Sequence, residues 1–298
     1  MKLSVVGSIG IDTIETPFGR AENVVGGSAL YFSLAASLFT EVRVAANLGG
    51  DFPDEAWEPV RQRGGDLSGL RRFEDQQTFR WEGRYQGNMN EAETLLTELN
   101  VLAEPPVIPS SWRGGDFAFL ANMGADVQLE MLAALDADVV FADTMNLWID
   151  TQREQVELLL SRIDGLILND SEARLLTGCD HLISAGEALL AMGPRIVVIK
   201  KGEHGAFLFA PDLRFAVPAF PTTTVVDPTG AGDSFAGGFI GSLAAMGGTD
   251  NAMLRQSMAY GTVAASITVE QFSTAGLAAA KRCDIDQRYD LLCDFVRI

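Results

Sequence analysis

The stretch from Asp227 to Phe235 carries the residues best suited to chemistry in this 298-residue chain. It reads Asp-Pro-Thr-Gly-Ala-Gly-Asp-Ser-Phe, and its glycines allow the backbone to expose amide groups. A strand-like run, Thr222 to Val226, precedes it, and a helix is expected to begin near Asp233. Because the first amides of a helix lack partners within the helix and lie at its positive end, this turn predicts an anion site.

Asp233 stands at the edge of this predicted anion site. A carboxylate there can take the proton of an attacking hydroxyl while backbone amides hold the oxygens of a migrating phosphoryl group, as phosphoryl transfer requires. The residues expected to act together are Gly230, Ala231, Gly232 and Asp233. An Asp after a glycine-rich turn can also simply cap a helix, so a short string of this kind is open to both interpretations.

Charge and composition exclude several other functions. The chain has 22 Lys and Arg against 40 Asp and Glu, a net charge of −18, which predicts repulsion of nucleic acid and of anionic membranes. No apolar run approaches the ~20 residues of a membrane helix, and the N-terminus does not resemble a signal peptide, so we expect a cytoplasmic protein.

Two histidines and three cysteines fit no zinc pattern. No Gly-x-Gly-x-x-Gly follows a predicted strand, which argues against a nicotinamide dehydrogenase.

Short apolar runs alternate with helical stretches along the chain. This alternation is typical of an α/β protein with a mostly parallel sheet covered by helices on both faces, in which ligands bind beyond the carboxyl ends of the strands. The predicted strands are Leu3 to Val6, Val42 to Leu48, Phe117 to Leu120, Val139 to Phe141, Leu166 to Leu168 and Ile196 to Ile199. Residues 233 to 246 and 252 to 267 predict two close-packed helices rich in small residues.

One region departs from this alternation. Residues 77 to 85 alternate aromatic and polar side chains in the manner of a strand, and no helix follows them. Residues 95 to 102 are expected to pair with them. We therefore predict a small antiparallel flap.

The nine residues from Asp227 to Phe235 resemble the C-terminal signature of the ribokinase-like, or PfkB, carbohydrate kinase family. Further motifs follow in the family's order over nearly the whole chain. The resemblance implies a three-layer α/β/α fold with a mostly parallel central sheet, formed by residues 1 to 298 as one domain. A small β lid is expected from about 11 to 25 and 74 to 103. ATP and Mg²⁺ are the implied cofactors.

The resemblance places the acceptor site near the N-terminus. Gly7-Ser8-Ile9-Gly10-Ile11-Asp12 is similar to the family's first strand and turn, in which the Asp binds substrate hydroxyls, and Asp12 inherits that role. Gly26 and Gly27 resemble the family's Gly-Gly loop, where the backbone approaches the substrate closely. Tyr31 stands four residues after Gly27, where sugar-specific members commonly carry an Asn that contacts the sugar. This departure argues against a ribose-like substrate.

Asn169 and Glu172 resemble the family's Asn-x-x-Glu motif, which organises Mg²⁺, usually through water, and the nucleotide phosphates. An Asn followed three residues later by Glu is also the pattern of a helix capping box. The position of the motif after a predicted strand favours the functional interpretation. Mg²⁺ prefers carboxylate, water and phosphate oxygens, so one Glu with ATP suffices for a site.

The segment from Lys200 to Gly205 follows another predicted strand and resembles the family's nucleotide loop. The resemblance implies that Gly202 and Gly205 lie beside ATP and that Lys200 offsets phosphate charge. Asn146 also follows a strand and is expected to reach the phosphates.

Two family properties are left open by the sequence. Many members bind a monovalent cation behind the anion hole, through the Asp that opens the signature and through carbonyls of a later loop. Asp227 matches that Asp, but residues 269 to 274 lack the Gly-Ala pair common in ribokinase-like enzymes, so activation by K⁺ is undecided. Members also often pair through the flap, which makes a homodimer one expectation.

The acceptor is the least determined part of the function. A sugar or sugar-like polyol is the commonest choice of the family and the first expectation. A nucleoside is the alternative, since Tyr31 replaces the Asn and since Phe79, Trp81 and Tyr85 of the flap could stack on a base. A sensor that binds a metabolite without catalysis is a third hypothesis. Loss of the base or of the glycine-rich turn would favour the sensor, and neither is lost.

Overall fold

Two β-sheets organise the chain in the computed structural model, which describes residues 1–112 and 114–297. The strands are β1 (Leu3–Val6), β2 (Gly10–Thr16), β3 (Gly19–Gly26), β4 (Val42–Gly49), β5 (Asp66–Phe73), β6 (Phe79–Tyr85), β7 (Ala92–Glu98), β8 (Gly115–Leu120), β9 (Ala137–Asp143), β10 (Gly165–Asn169), β11 (Ile196–Lys200), β12 (Ala206–Ala210) and β13 (Leu213–Val217).

The helices are α1 (Ser28–Ala36), α2 (Glu58–Gln62), α3 (Ala125–Ala134), α4 (Asn146–Thr151), α5 (Arg153–Leu160), α6 (Asp170–Thr177), α7 (Leu182–Ala191), α8 (Ala231–Met246), α9 (Asn251–Thr268), α10 (Ala275–Ala279) and α11 (Arg282–Phe295). Short 3₁₀ turns occupy Asp54–Trp57, Asn100–Ala103 and Gly202–His204.

The larger sheet forms the middle layer. Among the described residues its strand order is β13-β12-β11-β10-β9-β8-β1-β4-β5, parallel from β11 to β5. One hydrophobic core packs α1, α8 and α9 against one face, and a second core packs α3 and α5 to α7 against the other. The carboxyl ends of the parallel strands therefore meet at one edge, between two helical layers.

All the apolar runs named above as strands lie within strands of this sheet. The two helices predicted near the C-terminus are α8 and α9, and α8 begins at Ala231, slightly before the expected start. Its packing depends on small residues, since a β-carbon at Gly238 would stand 2.7 Å from the Tyr260 carbonyl oxygen of α9. That close approach fixes α8 and the turn before it against the sheet.

The prediction of a strand from Thr222 to Val226 is wrong. The segment is irregular, and the sheet ends instead at the antiparallel hairpin β12–β13. The run of β-branched residues resembles a strand in composition, but it pairs with none of the described strands. Its backbone is held by the end of α9, because the amides of Val226 and Asp227 both donate to the Val269 carbonyl, over 2.7 and 3.2 Å.

The smaller sheet has the strand order β3-β2-β6-β7. β2 pairs with β3 and β6 with β7 in antiparallel fashion, whereas β2 and β6 are parallel. The flap pairing predicted between residues 77 to 85 and 95 to 102 is found in part: the second strand is Ala92–Glu98, and Asn100–Ala103 is a 3₁₀ turn. Asp51, just after β4, accepts hydrogen bonds from the Thr78 amide and hydroxyl and pairs with Arg80. We call this sheet the lid; that the whole chain forms one domain with this lid stays a prediction.

Within residues 1–112 and 114–297, no helix is both long and apolar enough to cross a membrane.

Candidate active site

A cavity of about 1630 Å³ lies between the carboxyl ends of the central strands and the lid. The predicted site residues that line it are Asp12, Gly27, Tyr31, Asn146, Asn169, Glu172, Gly202, Gly230 and Asp233. The other predicted site residues are not among those that line it: Gly26, Lys200, Gly205, Asp227, Ala231 and Gly232. Residues from opposite ends of the sequence thus share one site.

The turn before α8 has the backbone geometry of a helix N-terminus that can face an anion. Gly230 is the N-cap in a left-handed conformation with φ 73°, and a β-carbon there would overlap the ring of Tyr31. The hydroxyl of Ser234 donates to the Gly230 carbonyl over 2.7 Å. The amide of Ala231 donates to the Pro228 carbonyl over 3.1 Å, so it is engaged within the turn. Of the other amides predicted for the anion hole, those of Gly232 and Asp233 lie in the first turn of α8, where backbone amides lack partners within the helix.

Asp233 lies in the first turn of α8 and is half-buried in the wall of the cavity. Burial raises the pKa of its carboxyl to about 6, while the charge of Lys200 acts in the opposite direction. The Lys200 ammonium lies under the same turn, 2.7 Å from where a β-carbon of Gly232 would stand. A carboxylate with this pKa ionises near neutral pH while remaining basic enough to accept a proton, which suits a general base.

Lys200 faces further buried carboxyl groups. Burial raises the pKa of Asp143 and of Glu172, and the Lys200 charge lowers both. One oxygen of Asp143 and the hydroxyl of its neighbour Thr144 are buried with no hydrogen-bond partner in the part of the chain that the structure describes. An uncompensated group of this kind is costly in a folded protein, and neither residue is among those that line the cavity.

The buried carboxyl group of Asp12 explains the glycine at position 26, the last residue of β3. The Asp12 side chain is 4% exposed, and burial, followed by the charges of Asp227 and Asp233, raises its pKa to about 7. A β-carbon at Gly26 would overlap the Asp12 carboxyl group, and one at Gly27 would stand 2.6 Å from the Ile9 α-carbon. The Gly-Gly pair is therefore required by the protein itself, to leave room for this carboxyl group and for the strand beside it.

Tyr31 is 1% exposed and lies on the first helix after the Gly-Gly pair. Its ring supports Gly230, and its hydroxyl oxygen has no hydrogen-bond partner among the described residues. Burial raises the pKa of Tyr31 well above its usual value, as do the nearby carboxylates, with Asp12 first. The hydroxyl therefore remains neutral and is available as a donor.

Asn169 and Glu172 form the capping box that the sequence allowed. The Asn169 side chain accepts from the Glu172 amide over 2.8 Å, and one Glu172 oxygen accepts from the Asn169 amide over 2.7 Å. Both residues nevertheless line the cavity. The cap holds the Glu172 carboxyl group in place, so the two interpretations are compatible.

The two neighbouring lysines at the end of β11 have different surroundings. Lys200 lies under α8, whereas Lys201 lines the cavity with its ammonium 3.7 Å above the Phe207 ring. Gly202 has φ 54° and faces the cavity. Gly205 has φ 79° and packs against the Val217 carbonyl, so it shapes the β12–β13 hairpin and does not line the cavity.

The lid contacts both the turn before α8 and the loop after β11. The Thr229 hydroxyl donates to the Tyr85 phenol oxygen over 3.2 Å. At the tip of the lid, the Asn90 amide donates to a Glu203 carboxylate oxygen over 3.3 Å. The sequence predicted neither the contact of Asn90 with Glu203 nor the hydrogen bond between Thr229 and Tyr85. The aromatic pattern of the flap indicated Tyr85 itself, but nothing in the sequence indicated Asn90.

Comparison with known proteins adds to this geometry. The sequence model described as "pfkB family carbohydrate kinase" matches residues 119–280. The chain is 28% identical over 246 residues to a cytidine kinase of Thermococcus kodakarensis, covering 80% of this chain and 87% of that protein. It is 26% identical over 244 residues to a nucleoside kinase of Methanothermobacter thermautotrophicus, covering 76% and 73%.

A solved structure resembles the whole fold. It is the aminoimidazole riboside kinase of Salmonella enterica, crystallised with aminoimidazole riboside and an ATP analogue. The TM-score is 0.76 at 20% identity, over 97% of this chain and 100% of that one. The likeness confirms the predicted three-layer α/β/α fold with a mostly parallel sheet.

Proposed function

Because this chain belongs to the pfkB family of carbohydrate kinases and is an ATP-dependent phosphotransferase with an alcohol group as acceptor, we propose that it phosphorylates a nucleoside. Asp233 is the general base, and the amides at the start of α8 stabilise the migrating phosphoryl group. This acceptor differs from the sugar that was the first expectation from the sequence.

One observation carries the choice of a nucleoside. The Phe79 ring and the Asp12 carboxyl group flank the same point, each 3.1 Å from where a β-carbon of Gly10 would stand. Trp81 of the lid lines the cavity on the same side. A nucleoside combines an apolar base face, which stacks on aromatic rings, with sugar hydroxyls, which hydrogen-bond to a carboxylate. The two relatives with long alignments are named a cytidine kinase and a nucleoside kinase.

The chain's own residues divide the reaction between them. Asp12 binds the sugar hydroxyls of the acceptor, and Asp233 takes the proton from the hydroxyl that attacks the γ-phosphorus. The amides of Gly232 and Asp233 face the phosphoryl oxygens, while Lys200 offsets their negative charge. The lid excludes water, which would otherwise compete with the acceptor.

The residues of the nucleotide side fit ATP with Mg²⁺. Among the described residues, no cluster of three or more His, Cys, Asp or Glu side chains could hold a metal by itself. A Mg²⁺ ion beside Glu172 would therefore take its other ligands from water and phosphate oxygens, as Mg²⁺ usually does. Bound there, it would supply positive charge to the phosphates, and Asn169 and Asn146 lie on the same wall of the cavity.

Release of ADP from ATP and Mg²⁺ across a panel of nucleosides and sugars tests the proposal. The panel contains cytidine, other ribonucleosides, ribose and fructose. We expect kcat/KM at least about tenfold higher for the best nucleoside than for the best free sugar, which corresponds to ~1.4 kcal/mol. A higher value for a free sugar would contradict the proposed acceptor. Tight binding of a nucleoside without any ADP release would favour the sensor.

A further inference from the structure

Ser273 has an unusual conformation for a buried residue. Its φ is 57°, in the left-handed region that non-glycine residues rarely adopt, and it is 7% exposed. Such a conformation costs about 1 kcal/mol or more and persists only where the surrounding contacts impose it. The contacts of Ser273 therefore indicate what the strain maintains.

The two polar groups of Ser273 reach two different loops. Its amide donates to an Asp227 carboxylate oxygen over 2.9 Å, and its hydroxyl donates to the Val25 carbonyl over 2.5 Å. The other Asp227 oxygen accepts from the Thr229 amide over 2.9 Å. Asp227 is fully buried, so both of these bonds are shielded from water.

Each loop carries one half of the proposed reaction site. Val25 directly precedes Gly26 and Gly27, the pair that makes room for Asp12. Thr229 directly precedes Gly230, the N-cap of the helix that carries Asp233. Ser273 thus stands between the backbone next to the acceptor carboxylate and the backbone that faces the phosphoryl group.

The loop that carries Ser273 is itself held firmly. The Thr268 hydroxyl donates to the Ser234 hydroxyl oxygen over 2.7 Å, which ties the start of the loop to α8. Arg288 forms an ion pair of 2.6 Å with Glu270, and Glu270 also accepts from the Thr222 hydroxyl over 2.8 Å. A displacement of the anion turn is therefore passed to Ser273 by several bonds and is not absorbed by a loose loop.

From these contacts we infer that Ser273 is a positioning residue that couples the acceptor loop, residues 25–27, to the anion turn, residues 227–233. Ordering the anion turn around a nucleotide also orders the acceptor loop, through the Ser273 hydroxyl. The inference deepens the proposed function and rests on it, since it assigns a nucleotide phosphate to the anion turn.

Hydrogen–deuterium exchange of the full chain tests this coupling without knowledge of the acceptor. The probe is the non-hydrolysable ATP analogue AMP-PNP with Mg²⁺, and the readouts are peptides that cover residues 22–30 and 227–236. In the unmodified protein we expect the probe to slow exchange in both peptides, the first by about fivefold, at the low end of typical coupling between sites.

Two variants remove only the hydroxyl link. Ser273→Ala keeps the hydrogen bond from the backbone amide of residue 273 to Asp227. Ser273→Gly keeps it as well and relieves the strain at positive φ, so this variant should fold even if Ser273→Ala does not. In both, we expect the probe to slow residues 227–236 alone. Ser242→Ala is the matched control: it removes a buried hydroxyl bonded to Ser257 over 2.8 Å, far from these loops, and should leave both responses intact.

The outcomes separate the inference from the function on which it rests. Slowing of both peptides in Ser273→Ala and Ser273→Gly would overturn the coupling role. Slowing of residues 227–236 alone in the unmodified protein would overturn it as well. If the probe slowed neither peptide in the unmodified protein, the proposed nucleotide site would fail, and the coupling with it.

Discussion

Thr229 in the anion turn donates a hydrogen bond of 3.2 Å to Tyr85 at the end of a lid strand. The lid thus contacts the same turn that is proposed to hold the migrating phosphoryl group. Asn90 makes a second contact, to Glu203 beside the nucleotide loop. Specific side chains therefore join the lid to both parts of the proposed site.

Tyr85→Phe tests this link. The substitution keeps the ring and removes one hydrogen bond, worth about 1 kcal/mol net, so we expect kcat/KM for the acceptor to fall by roughly fivefold. Initial rates with the best nucleoside of the panel measure it. Tyr289→Phe on α11 is the control and should leave kcat/KM unchanged. Equal kinetics for both variants would mean that the bond does not support the closed lid.

Tyr31→Phe separates a role in acceptor binding from a role in packing. The Tyr31 hydroxyl is buried and has no hydrogen-bond partner within residues 1–112 and 114–297, so its removal should leave the free energy of unfolding unchanged or raise it by about 1 kcal/mol. The ring that supports Gly230 is kept. If the hydroxyl donates to the acceptor, the acceptor KM should rise by about fivefold or more. Denaturant unfolding and initial rates measure the two effects; lower stability with an unchanged KM would contradict this account.

Asp12→Asn should stabilise the protein without ligand in a pH-dependent way. The folded-state pKa of Asp12, about 7, lies above the usual value of 3.8 for an aspartate, so protonated Asp12 favours folding. Its contribution is full below the unfolded pKa and is lost as the pH rises through about 7. The Asn side chain of the variant does not ionise, so it does not lose this stability as the pH rises. Melting curves should show a larger stabilisation at pH 8 than at pH 5, by at most about 3 kcal/mol, because only the loss between pH 5 and about 7 separates the two conditions.

The exposed Asp75 provides the control for this measurement, since Asp75→Asn should change the melting temperature little at either pH. Equal stabilisation of Asp12→Asn at pH 5 and pH 8 would show that the Asp12 carboxyl group is not buried in its charged form. We expect Asp12→Asn to impair acceptor binding despite its higher stability, a trade-off common at functional sites.

The pH dependence of turnover should report the ionisation of Asp233. Its pKa is raised to about 6 by burial, and the base must be ionised to accept a proton. We expect kcat at saturating acceptor to fall about tenfold for each pH unit below 6 and to level off above it. Lys200 lowers this pKa, so Lys200→Met should move the acid limb to higher pH. Lys201→Met is the comparison; a limb that shifts only in this second variant would contradict the assignment of Lys200.

Much of the fold follows from patterns that the sequence carries locally. Buried parallel strands are short apolar runs between helices, and every run of that kind named from the sequence lies in a strand. The run from Thr222 to Val226 is rich in β-branched residues but is irregular, and the amides of Val226 and Asp227 bond to the Val269 carbonyl at the end of α9. Composition indicates the propensity of a segment, and only tertiary contacts decide which partner it finds.

The site shows the same limit. The residues within motifs, such as Asp233 and Glu172, could be named because their neighbours in sequence create their environment. The bond between Thr229 and Tyr85 spans 144 positions, and that between Ser273 and Asp227 spans 46. No local pattern marks such pairs, since packing of the lid and of the loop after α9 brings them together.

Asp233→Asn is the most direct test of the proposed reaction. The amide has nearly the shape of the carboxylate but cannot act as the base, so turnover with the best nucleoside should fall by about 10² to 10⁴, the usual contribution of a general base. Binding of AMP-PNP with Mg²⁺, followed by calorimetry, should remain close to that of the unmodified protein. Turnover within about twofold of the unmodified enzyme would contradict the assignment of Asp233 as the base.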